Sequence, residues 1–145
     1  MFKHLLLPTD GSELSLAAIR QGVRFAKESN ARVTGVCVTP EFHVLTFNTT
    51  MIEDTKEEFL AESRAQAKAN LALLKKAADD EGVACDTEVA VSDHPYEAII
   101  RVAEDKECDL IIMASHGRHG AQALLLGSET QKVLTHTRIP VLVYR

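Results

Sequence analysis

Five short apolar runs alternate with longer amphipathic stretches along the chain. The runs cover residues 3–8, 32–39, 84–91, 109–113 and 139–144. Four of them are apolar throughout, which is typical of parallel strands covered by helices on both faces, and a fifth alternates. The pattern therefore predicts five β-strands in a largely buried sheet.

Helical periodicity fills the intervals between these runs. Apolar positions at spacings of three, four and seven predict helices over residues 13–29 and 53–81, the second stopped by Gly82. Pro95 begins a third helix that runs to about residue 106, with Ser92 and Asp93 as candidate caps. Ser128, followed three residues later by Gln131, has the spacing of a capping box and begins the fourth helix.

The order β-α-β-α-β-α-β-α-β predicts an α/β fold with a doubly wound, five-stranded parallel sheet flanked by helices. We take the first strand as central, which gives the Rossmann-like strand order 3-2-1-4-5. The 145 residues form one domain in this interpretation, residues 1–145, without repeats or a linker.

Two polar, turn-rich loops follow the first and fourth strands. They are residues 8–12 and residues 114–120, and the second is followed by Gly127 and Ser128 at the start of a helix. Ligands of such sheets bind at the carboxyl edge where the strand order reverses, which lies between these two strands. Glycines allow close backbone approach, and a helix N-terminus attracts anions, so we expect a phosphate site here.

Several polar residues in these loops have two interpretations. Asp10 either contacts a sugar hydroxyl or a metal ion, or caps the first helix alone or with Ser12, while Gly11 permits a tight turn. The Ser128 hydroxyl either caps its own helix or meets a phosphate.

The histidines and the arginine of the second loop are also ambiguous. His116 and His119 are three residues apart, but no matching set of cysteines or carboxylates accompanies them, which favours exposed histidines near phosphate over a metal site. Arg118 is either a phosphate partner or a solvated side chain. The long, nearly uncharged segment 40–52 is either a packed loop or a flap over a ligand.

Composition and absent motifs narrow the function. The formal net charge of −5 argues against sequence-independent nucleic-acid binding, and no apolar run approaches the length of a membrane span or a signal peptide. Three cysteines in apolar contexts indicate reduced thiols and a cytoplasmic protein. No P-loop, dinucleotide fingerprint or nucleophile elbow is present.

At these residues the chain resembles the universal stress protein family over essentially its whole length. The resemblance rests on residues 7–12, on Ser115-His116-Gly117, on the nine-residue gap before Gly127-Ser128, and on the closing residues 139–143. It implies a five-stranded α/β sheet, a homodimer and, in the ATP-binding members, the pattern G-x-x-G, nine residues, G-[ST]. Ala114 replaces the first glycine here, which costs little if its φ is negative and strains the loop if φ is positive.

The resemblance also implies a set of nucleotide-binding residues. Pro8, Thr9 and Asp10 would line the adenosine side, and the backbone at Val38 would meet the adenine edge. Mg²⁺ or Mn²⁺ would accompany the phosphates. The ribose and phosphates would be surrounded by Ala114, Ser115, His116, Gly117, Arg118, His119, Gly120, Gly127, Ser128, Glu129 and Thr130. Glu129 is the awkward member, because its carboxylate would repel phosphate unless it points away or meets the metal.

The last strand predicts a partner. Pro140 lacks an N–H donor and belongs at an edge or a strand start, and the apolar edge 141–143 invites pairing with a second copy of the chain. We therefore expect a homodimer through residues 139–144, with any other protein partner unknown. The leading interpretation is a cytoplasmic stress-response or signalling protein that binds ATP, with ADP or AMP as alternatives, and has no catalytic residue. The alternatives are an interaction module without nucleotide and a slow ATP hydrolase.

Overall fold

A parallel five-stranded sheet in the order 3-2-1-4-5 organises the chain, as the sequence predicts. The computed structural model describes residues 1–43, 49–117 and 126–145, and the side chains of these residues except at 49–54. The strands are β1 (His4–Pro8), β2 (Arg32–Thr39), β3 (Cys85–Val91), β4 (Leu110–Ala114) and β5 (Val141–Tyr144). The helices are α1 (Glu13–Ser29), α2 (Thr49–Glu81), α3 (Pro95–Asp105) and α4 (Ser128–His136).

The central strands are buried on both faces. Leu5 and Leu7 of β1 pack with α1 and α2 on one face, whereas Leu6 packs with α3 and α4 on the other. All three leucines are fully buried. Alternate side chains of a strand point to opposite faces, so a strand between two helical layers needs an unbroken apolar run.

The two outer strands are more exposed. β3 and β5 each have only one neighbour in the sheet, and Val91 and Leu142 at these edges are exposed. Pro140 immediately precedes β5, and its carbonyl accepts a hydrogen bond from the Ile111 amide at 2.9 Å. The proline thus lies at a strand start, one of the two places the sequence allowed.

Two local predictions are wrong. The second helix begins at Thr49 rather than residue 53, so residues 49–52 of the expected loop are helical, and residues 44–48 lie outside the described part. The N-cap of α3 is His94, not Ser92 or Asp93.

No helix in the described ranges is both long and apolar enough to span a bilayer.

Candidate functional site

A cleft of about 470 Å³ opens at the carboxyl edge of the sheet, between the loops that follow β1 and β4. β1 connects onward to β2 on one side of the sheet, and β4 connects to β5 on the other, so the cleft lies where the strand order reverses. Its size is typical of small-molecule sites.

Most residues predicted for the site line this cleft. Ser115 does not: it is buried beneath, where its carbonyl accepts from the Gly127 amide and its amide donates to the Tyr144 carbonyl, both at 2.7 Å. Arg118, His119 and Gly120 fall outside the described residues. The predicted residues that line the cleft are Pro8, Thr9, Asp10, Val38, Ala114, His116, Gly117, Gly127, Ser128, Glu129 and Thr130.

The loop after β1 is held by a chain of short-range hydrogen bonds. The Asp10 Oδ1 atom accepts from the Ser12 amide at 2.9 Å, and the Ser12 hydroxyl accepts from the Ser15 amide at 3.2 Å as the N-cap of α1. Ser12 is therefore the cap, and Asp10 stabilises the turn before it. Gly11, at φ +79°, occupies the left-handed region that the turn requires.

The hydroxyl of Thr9 ties the same loop to the first turn of α1. Its Oγ1 atom accepts from the Gly11 amide at 3.2 Å and from the Ser15 hydroxyl at 3.1 Å. Thr9 and Ser15 are both buried and line the cleft. The loop thus presents a fixed polar surface to a ligand.

Ala114 fits its position without strain. It is the last residue of β4, and among the described residues other than glycine only Asn30 and Glu107 have positive φ. Its carbonyl accepts a hydrogen bond from the Thr130 hydroxyl at 2.9 Å, which fixes α4 against the strand end. Replacement of the family glycine by alanine therefore costs little conformational energy.

Two glycines lie where the backbone approaches other groups closely. A methyl group on Gly117 would overlap the Asp10 Oδ2 atom, so a side chain here requires the Asp10 carboxylate to move. A methyl group on Gly127 would lie 3.0 Å from the His116 Cα atom and 3.3 Å from the Ser115 carbonyl oxygen. Both glycines bring the backbone to the wall of the cleft.

The start of α4 faces the cleft, and the amides of Ser128 and Glu129 have no acceptor among the described residues. Gly127 is the N-cap and Ser128 the first helical residue, so the predicted capping box is wrong; the side-chain Nε2 atom of Gln131 instead donates to the Leu126 carbonyl at 2.8 Å. The first amides of a helix have no intrahelical acceptor, and the helix dipole makes this end positive. The amides of Ser128 and Glu129 therefore form a site suited to an anion.

The Glu129 carboxylate is bound to the first turn of α3 and to Lys132. It accepts from the Tyr96 amide in the first turn of α3 at 2.9 Å and lies 3.5 Å from the Lys132 ammonium group. The carboxylate thus caps the first turn of α3, because the N-cap residue His94 makes no side-chain cap hydrogen bond. The hydrogen bond from Tyr96 holds the carboxylate toward α3, although Glu129 still lines the cleft.

The sequence missed five lining residues. Four of them are apolar and resemble ordinary core positions, and the fifth is a small polar residue inside α1, so only the assembled sheet edge reveals them. They lie on α1, β2, α3 and β4: Ser15, Val36, Pro95, Ile99 and Met113. With Val38, the apolar members form a surface suited to a flat, weakly polar ring system.

The charges around the cleft are unbalanced. Asp10 and Glu129 contribute carboxylates, and no lysine or arginine lines the cleft within the described ranges. His116, whose Nδ1 atom lies 3.2 Å from the Ser115 hydroxyl, is the basic side chain on this wall. A multiply charged anion would therefore depend on backbone amides, the helix dipole and a counter-cation.

Comparison with known proteins identifies the family. A universal stress protein from Methanocaldococcus jannaschii, MJ0531, is 32% identical over 145 residues, covering all of this chain and 83% of the relative. YxiE, a universal stress protein from Bacillus subtilis, is 32% identical over the full length of both chains. The solved structure of MJ0577, another universal stress protein of M. jannaschii, superposes with a TM-score of 0.84 at 31% identity and covers 99% of this chain and 95% of its own. The model of the universal stress protein family matches residues 1–145, and the chain therefore belongs to that family.

Proposed function

We propose that this protein binds ATP in the cleft between the loops after β1 and β4 and works in the cytoplasm as a stress-response or signalling module. The observation that carries the proposal is the start of α4, where Gly127 brings free backbone amides to the cleft wall. The apolar side chains of β2 and α3 provide a surface for a purine ring on the other side.

Structural neighbours support an adenine nucleotide. One universal stress protein with a TM-score of 0.73 and 21% identity was solved in complex with cAMP. Another, from Archaeoglobus fulgidus, with a TM-score of 0.72 and 16% identity, was solved in complex with dAMP. These proteins share the fold, and a purine in this chain would contact the side chains of Val38 and Ile99.

A divalent cation belongs to the proposal because of the charge balance. A triphosphate would meet the Asp10 carboxylate in a cleft without a lysine or arginine among the described lining residues. Mg²⁺ or Mn²⁺ prefers carboxylate and phosphate oxygens, and would remove the repulsion between them. Asp10 is the residue that fits this role, because its carboxylate lines the cleft between the two loops.

The sharpest test removes one backbone donor without disturbing the helix. Proline is favoured at the first helical position, and Gly127, at ψ 154°, has the extended conformation that a following proline requires. Ser128→Pro should therefore leave α4 intact but remove an amide that faces phosphate, whereas Ser128→Ala removes only the hydroxyl. By calorimetric titration of nucleotide-stripped protein with MgATP, we expect Ser128→Pro to bind about 10- to 100-fold more weakly, as for one hydrogen bond to a charged group.

The outcomes of this titration decide the proposal. We expect saturable wild-type binding that Gly117→Val abolishes, because a side chain at residue 117 overlaps Asp10. Ser128→Ala should stay within a few-fold of wild type. No binding by wild type, with binding restored in Ala114→Gly, would refute ATP binding and indicate an interaction module. Equal affinities of Ser128→Pro and Ser128→Ala would refute the role of the helix start.

We also propose that β5 pairs with its copy in a second molecule. The carbonyls of Pro140 and Tyr144 accept amides of the β4 segment, so the backbone groups of Val141 and Val143 face outward. Val143→Pro removes an outward donor, and Val143→Ala is the matched control for the lost side chain. In sedimentation equilibrium, we expect a dimer for wild type and for Val143→Ala but a monomer for Val143→Pro; a monomeric wild type would contradict the pairing.

A further inference from the structure

A cluster of three metal-ligating side chains lies at the carboxyl ends of β2 and β3. Glu41 and His43 follow β2, and Asp93 follows β3. One ligand atom of each side chain lies within 4.8 Å of the other two, and all three residues are exposed. Nothing in the nucleotide site uses these residues, since none of them lines the cleft.

The backbone holds the three residues in place. The Ser92 amide donates to the Thr39 carbonyl at 2.9 Å, which continues the pairing of β2 and β3 to the start of both loops. The Asp93 Oδ1 atom accepts from the Glu41 amide at 3.0 Å. Phe42, between the two ligands, packs against Phe59 of α2 with ring centroids 5.5 Å apart. The loop after β2 is therefore held to Asp93 by the Glu41 amide and to α2 by Phe42.

The charge of the cluster favours a cation. Two carboxylates lie together with a single imidazole, whose Nε2 atom contacts the Asp93 Oδ2 atom. Carboxylates are anionic at neutral pH, so the two in this cluster attract a cation.

We infer that Glu41, His43 and Asp93 form a binding site for a divalent cation of the zinc type. One imidazole nitrogen and two carboxylate oxygens are ligands that Zn²⁺ prefers, whereas Mg²⁺ prefers oxygen alone. Tetrahedral ligands about 2.0–2.1 Å from zinc are about 3.3 Å apart, a separation that these exposed side chains reach by small rotations. Three protein ligands leave the fourth position to water. The site is separate from the cation proposed for the phosphates and does not depend on nucleotide binding.

Zinc titration of nucleotide-free protein tests the site. We expect one Zn²⁺ per chain by calorimetry, and Co²⁺ in its place should give the intense visible absorption of four-coordinate cobalt. We expect each of three variants to weaken binding at least about tenfold: His43→Gln, Asp93→Asn and Glu41→Gln. Even the loss of a residue that only hydrogen-bonds to a metal ligand has an effect of about this size. The control His136→Gln removes an exposed histidine elsewhere and should bind as wild type does.

Either of two results would overturn the inference. Absence of saturable Zn²⁺ binding by the wild type excludes the site. Affinity unchanged in any of the three ligand variants, or reduced as much in His136→Gln, excludes this ligand set. Because the protein is free of nucleotide throughout, failure here leaves the ATP titration untouched, and failure of the ATP titration leaves the zinc result standing.

Discussion

Replacing Thr34 with valine should destabilise the protein through a buried polar row at the starts of β1, β2 and β3. Thr34 is fully buried, and its hydroxyl donates to the Asp86 carboxylate at 2.5 Å. A hydroxyl has one proton, so it must accept from the His4 Nε2 atom, 2.7 Å away. This arrangement assigns the proton of the neutral imidazole to Nε2.

The magnitude follows from what each partner loses. His4 is 4% exposed, and its Nδ1 atom already makes no hydrogen bond within the described part of the chain, so valine would leave both ring nitrogens unsatisfied. A buried donor without a partner costs about 1–3 kcal/mol. The Asp86 side chain is 53% exposed and bonds to Lys106 at 3.0 Å, so water replaces its lost donor at small cost. We expect a total loss of about 2–3 kcal/mol in the free energy of unfolding.

Urea unfolding at pH 7.5 measures this loss. Thr87→Val, on the exposed side of β3, is the matched control and should change the free energy by no more than about 0.5 kcal/mol. The double variant His4→Leu, Thr34→Val removes both partners and should recover much of the loss, because paired apolar replacement is nearly neutral. A loss below about 0.5 kcal/mol in Thr34→Val, or no recovery in the double variant, would refute the assigned hydrogen bonds.

Three further predictions follow from burial. Burial, and secondarily Arg32, lower the pKa of His4 below 6.5, so the unfolded chain takes up the proton first; stability should be full above about pH 6.5 and fall below it in urea titrations, more in wild type than in His4→Leu. Gly35→Ala places a methyl group 2.7 Å from the Leu74 Cδ1 atom and should cost about 1–3 kcal/mol, and Leu74→Ala about 3–5 kcal/mol; their double variant should cost less than the sum, and additive costs would contradict the contact. Burial raises the pKa of Cys85 to about 11 and that of Cys108 to about 12, so both thiols should react with iodoacetamide at pH 8 at least about 100-fold more slowly in the native protein than in urea; comparable rates would contradict their burial.

The sequence predicted those features of the fold that depend on local pattern. The apolar run at Leu5, Leu6 and Leu7 required two covering layers, and both are present. Gly11 was correctly expected in a tight turn, because the left-handed conformation is rarely available to other residues. The loops after β1 and β4 were placed at one cleft because parallel strands end at the same edge.

The errors arose where a distant residue replaced a local one. Ser92 and Asp93 are good cap residues, but the first turn of α3 takes its acceptor from Glu129, 33 positions away. Asp93 instead accepts the Glu41 amide from the loop after β2. Ser128 and Gln131 have capping-box spacing, yet the helix begins at Ser128, one residue earlier than that motif needs. Sequence spacing identifies candidate caps, but tertiary contacts decide which of them is used.

The walls of the cleft are fixed to one another by the residues that would surround a ligand. Thr130 ties the first turn of α4 to the end of β4, and Glu129 ties the same turn to α3. The first turn of α4 therefore joins the surface suited to phosphate to α3. Helix α3 supplies Pro95 and Ile99 to the apolar side of the cleft. A ligand that draws the start of α4 toward its phosphates must act on α3 through this connection. Glu129 is needed for this connection, and therefore lies beside the anion site. The helix amides and a counter-cation can outweigh the repulsion between its carboxylate and a bound anion.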